Sequence, residues 1–250
     1  MRIAVAGGTG VAGVQVVNAV RAAGHEPVAL SRQNGVDVMT ETGLDAALDG
    51  AGALIDATNV TTNGRKRAVE FFTTATRNLL AAERRAGVGH HVALSIVNCD
   101  QFGIGYYAGK QAQEELVRSD KRGTVLRATQ FHEFASQLLS RMKGPIVVLP
   151  TARIQPVSTR EVAAMLVEAA LAPPHGRAPD IAGPEPRDLI ELVRLQLRAT
   201  ATRRFVVPVR VPGRTGAKLR RGALLPSTGA RLGSETFEQW LTGSSSADHA

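Results

Sequence analysis

Tyr106 and Tyr107 are the only tyrosines of a 250-residue chain, and they stand side by side in "GYYAGKQAQEEL", four and three residues before Lys110. In a helix, positions i and i+4 share a face and i+3 lies close to it, so spacing lets either phenol point with the lysine. A phenol with a pKa near ~10 is a poor acid–base group at neutral pH. An ammonium within ~4–6 Å favours the phenolate and lowers that value, which makes proton transfer practical. The stretch therefore predicts proton chemistry at the start of a helix. The plainer alternative is two packing rings, with Lys110 solvated beside Glu114. Ser95 ends the upstream apolar run "HVALS", where a hydroxyl could polarise a substrate carbonyl.

A second constellation opens the chain. "RIAVAGGTGVAGVQVVNAVRAAG" reads as strand, tight turn and helix; Gly8, Gly10 and Gly13 satisfy G-x-G-x-x-G, and Gly7, Gly10 and Gly13 satisfy G-x-x-G-x-x-G. One glycine allows a positive φ, one lets backbone approach a pyrophosphate, and one lets helix and strand pack closely. The N–H groups at the helix start, in the turn that carries Thr9 and Val11, then face the phosphates. Following a strand and opening a helix is the context this pattern needs, so a dinucleotide site is predicted. An NAD site would place a carboxylate at the end of the second strand. That strand, "EPVAL", ends in Ser31 and Arg32. A guanidinium fork with a neighbouring hydroxyl suits a 2′-phosphate, so NADP(H) is expected in preference to NAD(H).

The elements that must position these groups follow from periodicity. "RIAVA", "EPVAL", "ALIDA", "HVALSI" and "TVLRA" are strand candidates, and helical spacing covers Gly13 to Ala23, Arg65 to Ala86 and Tyr107 to Ser119. Apolar strands alternating with helices predict an α/β fold with a doubly wound parallel sheet. After Leu149 ten prolines interrupt the pattern, although "STREVAAMLVEAAL" reads as a capped helix. The expected organisation is a dinucleotide-binding core over 1–150, a C-terminal part over 151–242 that caps the substrate, and a flexible tail over 243–250.

Composition narrows the classes further. A hydrophobic content of 44% can bury a sizeable core, and no apolar run of about 18 residues predicts a membrane span. The start reads as a buried strand rather than a signal peptide. Cys99 is the only cysteine, which fits a cytoplasmic setting and an inert small side chain. The net charge is +8, with ten basic and no acidic residues from Arg194 through Arg231. Phe205 is the only aromatic in that block, so it lacks the stacking platforms of a single-strand binder; a solvated basic face is expected, with no nucleic-acid partner. His90 and His91 have no carboxylates at ligand spacing, and no metal site is expected.

The glycine turn, the strand-end serine and Y-x-x-x-K together resemble the short-chain dehydrogenase/reductase superfamily. "LSIVNCDQFGIGYYAGKQAQEELV", followed by "VLRATQFHEF", is similar to its atypical, NmrA-like NAD(P)H-binding branch. The resemblance covers residues 1 to 170 well and the remainder loosely. It implies a Rossmann fold with Tyr106 as general acid and Ser95 orienting the carbonyl. It also implies that Lys110 lowers the tyrosine pKa and holds the nicotinamide ribose, and that Asn78 supports a water relay to the lysine. Asp37, Val38, Thr58 and Asn59 match segments, taken to follow the third and fourth strands, that line adenine and ribose. Ser95 lies eleven residues before Tyr106, closer than usual in the family, which makes Asn98 a stand-in. Gln130, Phe131 and His132 follow "TVLRA" and are expected to line the substrate pocket. Some members of the branch are sensors that have lost the tyrosine, whereas this chain keeps Tyr106 and Lys110. The expectation is an NADPH-dependent reductase of a small, largely apolar carbonyl, enone or quinone, acting as monomer or homodimer. A non-catalytic redox sensor and an isomerase or epimerase are the alternatives. Members handling nucleotide-linked sugars are usually longer, which implies a compact substrate.

Overall fold

The computed structural model describes residues 1–102 and 105–247. They form two compact units: Met1–Arg127 with Thr159–Pro179, and Ala128–Ser158 with Asp180 onward. The division thus falls at residue 127 rather than at 150.

The first unit alternates strands and helices: β1 (Arg2–Ala6), α1 (Val11–Ala22), β2 (Glu26–Leu30), α2 (Leu44–Leu48), β3 (Ala51–Asp56), α3 (Arg65–Ala86), β4 (His90–Ile96), α4 (Gly105–Ser119) and β5 (Gly123–Ala128). Its sheet runs in the order β5-β4-β3-β1-β2. β1 pairs in parallel with β2 and β3, and β3 with β4. Chain order reverses at β1, which leaves a crevice beyond the strand ends at this switch point, where ligands of such folds bind. The segment 37–38 follows β2 and 58–59 follows β3, not the third and fourth strands.

Leu30, Leu44, Leu48, Leu54 and Leu79 pack into one buried cluster beneath α2 and α3, each stabilising the fold by about 1.5–3 kcal/mol. Gly109 brings α4 close to α3, because a Cβ there would stand 2.7 Å from the Phe72 ring and 2.8 Å from the Ala68 carbonyl. After the chain has passed through α5 (Phe134–Arg141), β6 (Ile146–Pro150) and β7 (Arg153–Ile154), α6 (Thr159–Leu171) returns to the first unit and packs on α1. It buries Val162, Leu166 and Val167, which is why residues beyond 150 belong to that unit. β8 (Gly176–Arg177) then pairs with β5.

The second unit contains α5, β6 and β7, then β9 (Ile181–Ala182), β10 (Arg187–Asp188), α7 (Leu189–Ala199), β11 (Phe205–Val209), α8 (Gly213–Arg220), β12 (Arg231–Leu232) and α9 (Phe237–Ala247). β6 and β11 pair in parallel, β7 and β10 antiparallel. The basic block spans α7 to β12, and it is not all solvated. Arg204 donates to the carbonyls of Leu139, Met142 and Gly144, satisfying acceptors that the end of α5 leaves open. Arg187 joins Glu185, Glu191 and Glu238 and so ties α9 to α7. The expected tail begins inside α9, which continues to Ala247; residues 248–250 lie outside the described ones. No described helix is long and apolar enough to cross a membrane.

At the end of β4 opposite Ser95, Glu83 of α3 meets His91 Nδ1 at 2.6 Å, both fully buried. Burial by itself lowers the imidazole pKa, but the Glu83 carboxylate outweighs it and the net shift is upward. A raised folded pKa contributes stability that is complete below the unfolded value of ~6.5 and lost as pH climbs through the folded value. Glu83→Gln should therefore cost about 3–5 kcal/mol of unfolding free energy at low pH. Urea titrations near pH 6 and near pH 9 should find the loss narrowing as pH rises.

Candidate active site

The crevice at the strand switch encloses about 830 Å³. Its floor is backbone. Gly7 has a φ of +74° and no room for a side chain, since a Cβ would lie 2.8 Å from the Ala57 carbonyl oxygen. At Gly13 a Cβ would overlap the Gly7 carbonyl, and at Gly8 it would stand 2.8 Å from Ala29 Cβ. Gly10 starts α1 without any side-chain cap, so the first N–H groups of that helix stay open to an anion. Val11, the first helical residue, is half exposed.

Thr9, Ser31, Arg32, Asp37, Val38, Thr58 and Asn59 line this crevice together with Gly7 and Gly10. Nine of the residues named from sequence thus converge from three strand ends. Two polar atoms inside are orphaned: Ser31 Oγ and Thr58 Oγ1 are buried with no hydrogen-bond partner. Buried hydroxyls rarely go unsatisfied, and a sugar–phosphate ligand supplies what they lack. Side chains are excluded from the turn, the helix start is open, two hydroxyls are unpartnered and a guanidinium stands at the rim; these features fit a dinucleotide. Arg67, Glu70 and Phe71 of α3 also line the crevice. Nothing in their types distinguishes them from the rest of a helical face, so the sequence does not single them out.

Behind the crevice lies a chain of buried polar contacts. Asp56, at the end of β3, accepts from the Thr58 backbone N–H at 2.9 Å and from Gln113 Nε2 at 2.8 Å. Gln113 Oε1 accepts from Lys110 Nζ at 2.8 Å, and the same ammonium donates to the Leu94 carbonyl at 2.9 Å. Lys110 is 3% exposed and lies 4.3 Å from the Phe72 ring centre. Next to it, Glu114 is held by Arg127 through bonds of 2.7 and 2.6 Å, so it is not a solvated neighbour of the lysine. Cys99 donates to Glu114 at 3.2 Å, and burial, with that carboxylate, pushes the thiol pKa up to about 12, leaving it inert.

These contacts correct several expectations. Lys110 faces the protein interior rather than lining the crevice, with its hydrogen bonds made to Leu94 and Gln113. Tyr106 meets a crevice residue: its hydroxyl donates to Asn59 Oδ1 at 2.8 Å, with its ring edge-on to Phe72 at 5.4 Å. Tyr107 instead packs on Phe102 at 5.0 Å. The phenol's pKa is raised, not lowered, by burial first and then by Asp56 and Tyr107. Asn78 donates to the carbonyls of Val38 and Met39 at 2.9 and 3.1 Å; it pins the crevice wall instead of relaying a proton to Lys110. Ser95 is buried with its hydroxyl 3.8 Å from the Cys99 sulfur, and its oxygen has no other described partner. Asn98, the stand-in, adopts a left-handed φ of 57°.

In the second unit, Gln130 has both amide atoms buried without a partner, and Phe131 makes a parallel bridge to Val157. His132 bonds the Glu235 carbonyl at 3.1 Å and packs against both Phe237 and Trp240, which makes it a fixed wall of its own unit.

No protein-family model matches the chain, and no curated protein matches it in sequence. Its fold is nevertheless that of solved dinucleotide enzymes. A short-chain dehydrogenase/reductase superfamily protein from Agrobacterium tumefaciens, with bound NAD, is 18% identical at a TM-score of 0.70, covering 100% of this chain and 97% of that one. A dTDP-4-dehydrorhamnose reductase from Clostridium acetobutylicum gives 0.70 at 14% identity, with 99% and 100% covered. An NADPH-dependent quinone oxidoreductase from Escherichia coli gives 0.65 at 15%, with 96% and 98% covered. At such identities the likeness establishes the Rossmann architecture. It also corrects the inference from length, because the reductase of a nucleotide-linked sugar is matched from end to end.

Burial lowers Lys110 to about 8, against the opposing pull of Asp56. The unfolded lysine, near ~10.4, then binds more protons than the folded one across the window between the two values, so stability rises with pH there. Urea unfolding of Lys110→Met should lack that rise, and the difference from wild type should grow between pH about 8 and about 10.

Proposed function

We propose that this protein is an NADP(H)-dependent oxidoreductase of the short-chain dehydrogenase/reductase type, reducing a small, largely apolar carbonyl, enone or quinone. One observation carries the reading: a crevice built on a glycine-tight turn, with Arg32 at one side and Asn59, which accepts the Tyr106 hydroxyl, at another. The dinucleotide, when bound, supplies the hydride. The open N–H groups of α1 hold its pyrophosphate, and Arg32 with the orphaned Ser31 hydroxyl takes the 2′-phosphate, which NAD(H) lacks. Thr58, whose hydroxyl is likewise unpartnered, faces the ribose side. Tyr106 is the proton donor. Its raised pKa keeps it protonated throughout the neutral range.

Two measurements test this. Calorimetric titration of Arg32→Ala should weaken NADPH about 10- to 100-fold, as expected for lost hydrogen bonds to a charged group, and leave NADH within about twofold. Equal loss for both would remove Arg32 from the phosphate site. With a panel of quinones and ketones, wild type should oxidise NADPH steadily, and Tyr106→Phe should lower kcat by roughly 10²–10⁴-fold. A protein that binds both cofactor forms, turns over neither and ignores Tyr106→Phe would be a sensor. One that retains cofactor through purification with no net oxidation would be an isomerase or epimerase.

A further inference from the structure

Parallel strands are almost always covered on both faces, and their sequences then read as unbroken apolar runs. β6 ("IVVLP") and β11 ("FVVPV") pair in parallel and read that way, yet one face of the pair is open. Val147 and Leu149 are buried on the covered side. On the other side the register sets Ile146 beside Phe205 and Val148 beside Val207, with Val209 next in line. Phe205, Ile146 and Val148 are 76%, 55% and 50% exposed, and Val207 and Val209 are exposed as well. Single apolar residues on a surface need no explanation, but a contiguous strip of them marks a contact.

Charge identifies the partner. Phe205 also lines a groove of about 660 Å³ with Arg194, Arg198 and Arg203. Among the described residues these three guanidiniums have no ion-pair or hydrogen-bond partner. Lys143 precedes β6 and Arg210 follows β11, both exposed, so cations flank the strip at both ends. The segments that carry the two strands, from Phe134 to Ser158 and from Leu192 to Ser234, contain no acidic residue. We infer that this face docks the protein on an anionic bilayer surface. The apolar strip enters the headgroup boundary while the unpaired arginines meet lipid phosphates. The inference is independent of the crevice and its chemistry. A second copy could cover the strip, but only by bringing two sets of unpaired cations together. A single-stranded nucleic acid would neutralise the cations, but Phe205 is the one stacking ring there and the valines would stay exposed. An anionic bilayer satisfies both halves of the surface.

Sedimentation of the full chain with lipid vesicles tests this. Wild type should pellet with vesicles of equal parts phosphatidylglycerol and phosphatidylcholine, and stay in the supernatant with phosphatidylcholine alone. Salt at about 1 M, where the screening length falls to ~3 Å, should release most of it. Arg194→Gln, Arg198→Gln and Arg203→Gln together should weaken partitioning about 100-fold, at roughly fivefold for each cation near a charged surface. Phe205→Ser with Val207→Ser should weaken it at least about 10-fold. All five positions are exposed, so both variants should keep the wild-type urea midpoint. Wild type that ignores the anionic vesicles, or binds phosphatidylcholine as well, would overturn the inference. So would binding that is indifferent to Phe205→Ser with Val207→Ser, which would reduce it to the general pull of a basic protein. A wild-type dimer that Phe205→Ser with Val207→Ser converts to monomer, with no vesicle binding by either, would assign the strip to a second copy instead.

Discussion

A single buried carboxylate fixes the site. Asp56 ends β3 fully out of solvent and uses one oxygen on the Thr58 backbone N–H and the other on Gln113. The first bond sets the course of the chain where Thr58 and Asn59 enter the crevice. The second reaches α4, whose first turn carries Tyr106. A crevice wall and the helix that carries Tyr106, far apart in sequence, are thereby tied to one carboxylate. A buried charge left unpaired is expensive, so Asp56 enforces the arrangement rather than merely tolerating it.

The same group accounts for the electrostatics around it. It opposes ionisation of the Tyr106 phenol and favours the charged form of Lys110, whose pKa burial nonetheless holds near 8. Lys110 answers the network electrically and packs against Phe72, so the lysine of Y-x-x-x-K supports α4 from within. The tyrosine of the motif reaches a crevice residue, Asn59, and the lysine faces the core. Close approach of α3 and α4 at Gly109 makes this possible, because Phe72 can then touch both the tyrosine and the lysine.

Much of this was legible in the sequence, and the reasons differ by residue. The turn from Gly7 to Gly13 could be read because backbone crowding leaves a residue type behind: only glycine fits where a Cβ would meet a carbonyl. Ser31 and Arg32 could be placed because they end the second strand, and Thr58 and Asn59 because they match a segment of the family resembled, although they follow β3. Tyr106 was visible as a candidate, but not its acidity, since helical spacing gives a face and says nothing about which way a long side chain turns. Lys110 turned inward because Gln113 and the Leu94 carbonyl were there to receive it, and neither residue advertises that role. Asn78 was noticed for the wrong reason: the amide reaches backbone carbonyls some forty positions upstream, a contact that only the folded chain defines. The boundary at 127 was hidden likewise, because the helix beginning at Thr159 belongs with α1 for packing reasons that linear order does not express.

The account comes down to where a reduced dinucleotide lies in this crevice and which side chain its reactive end meets. A crystal structure of the NADPH complex tests that most directly. It should place the 2′-phosphate within hydrogen-bond distance of Arg32 and Ser31, and the nicotinamide on the side where Asn59 meets Tyr106. A cofactor bound with its nicotinamide remote from the Tyr106 hydroxyl, or with its 2′-phosphate away from Arg32, would contradict it.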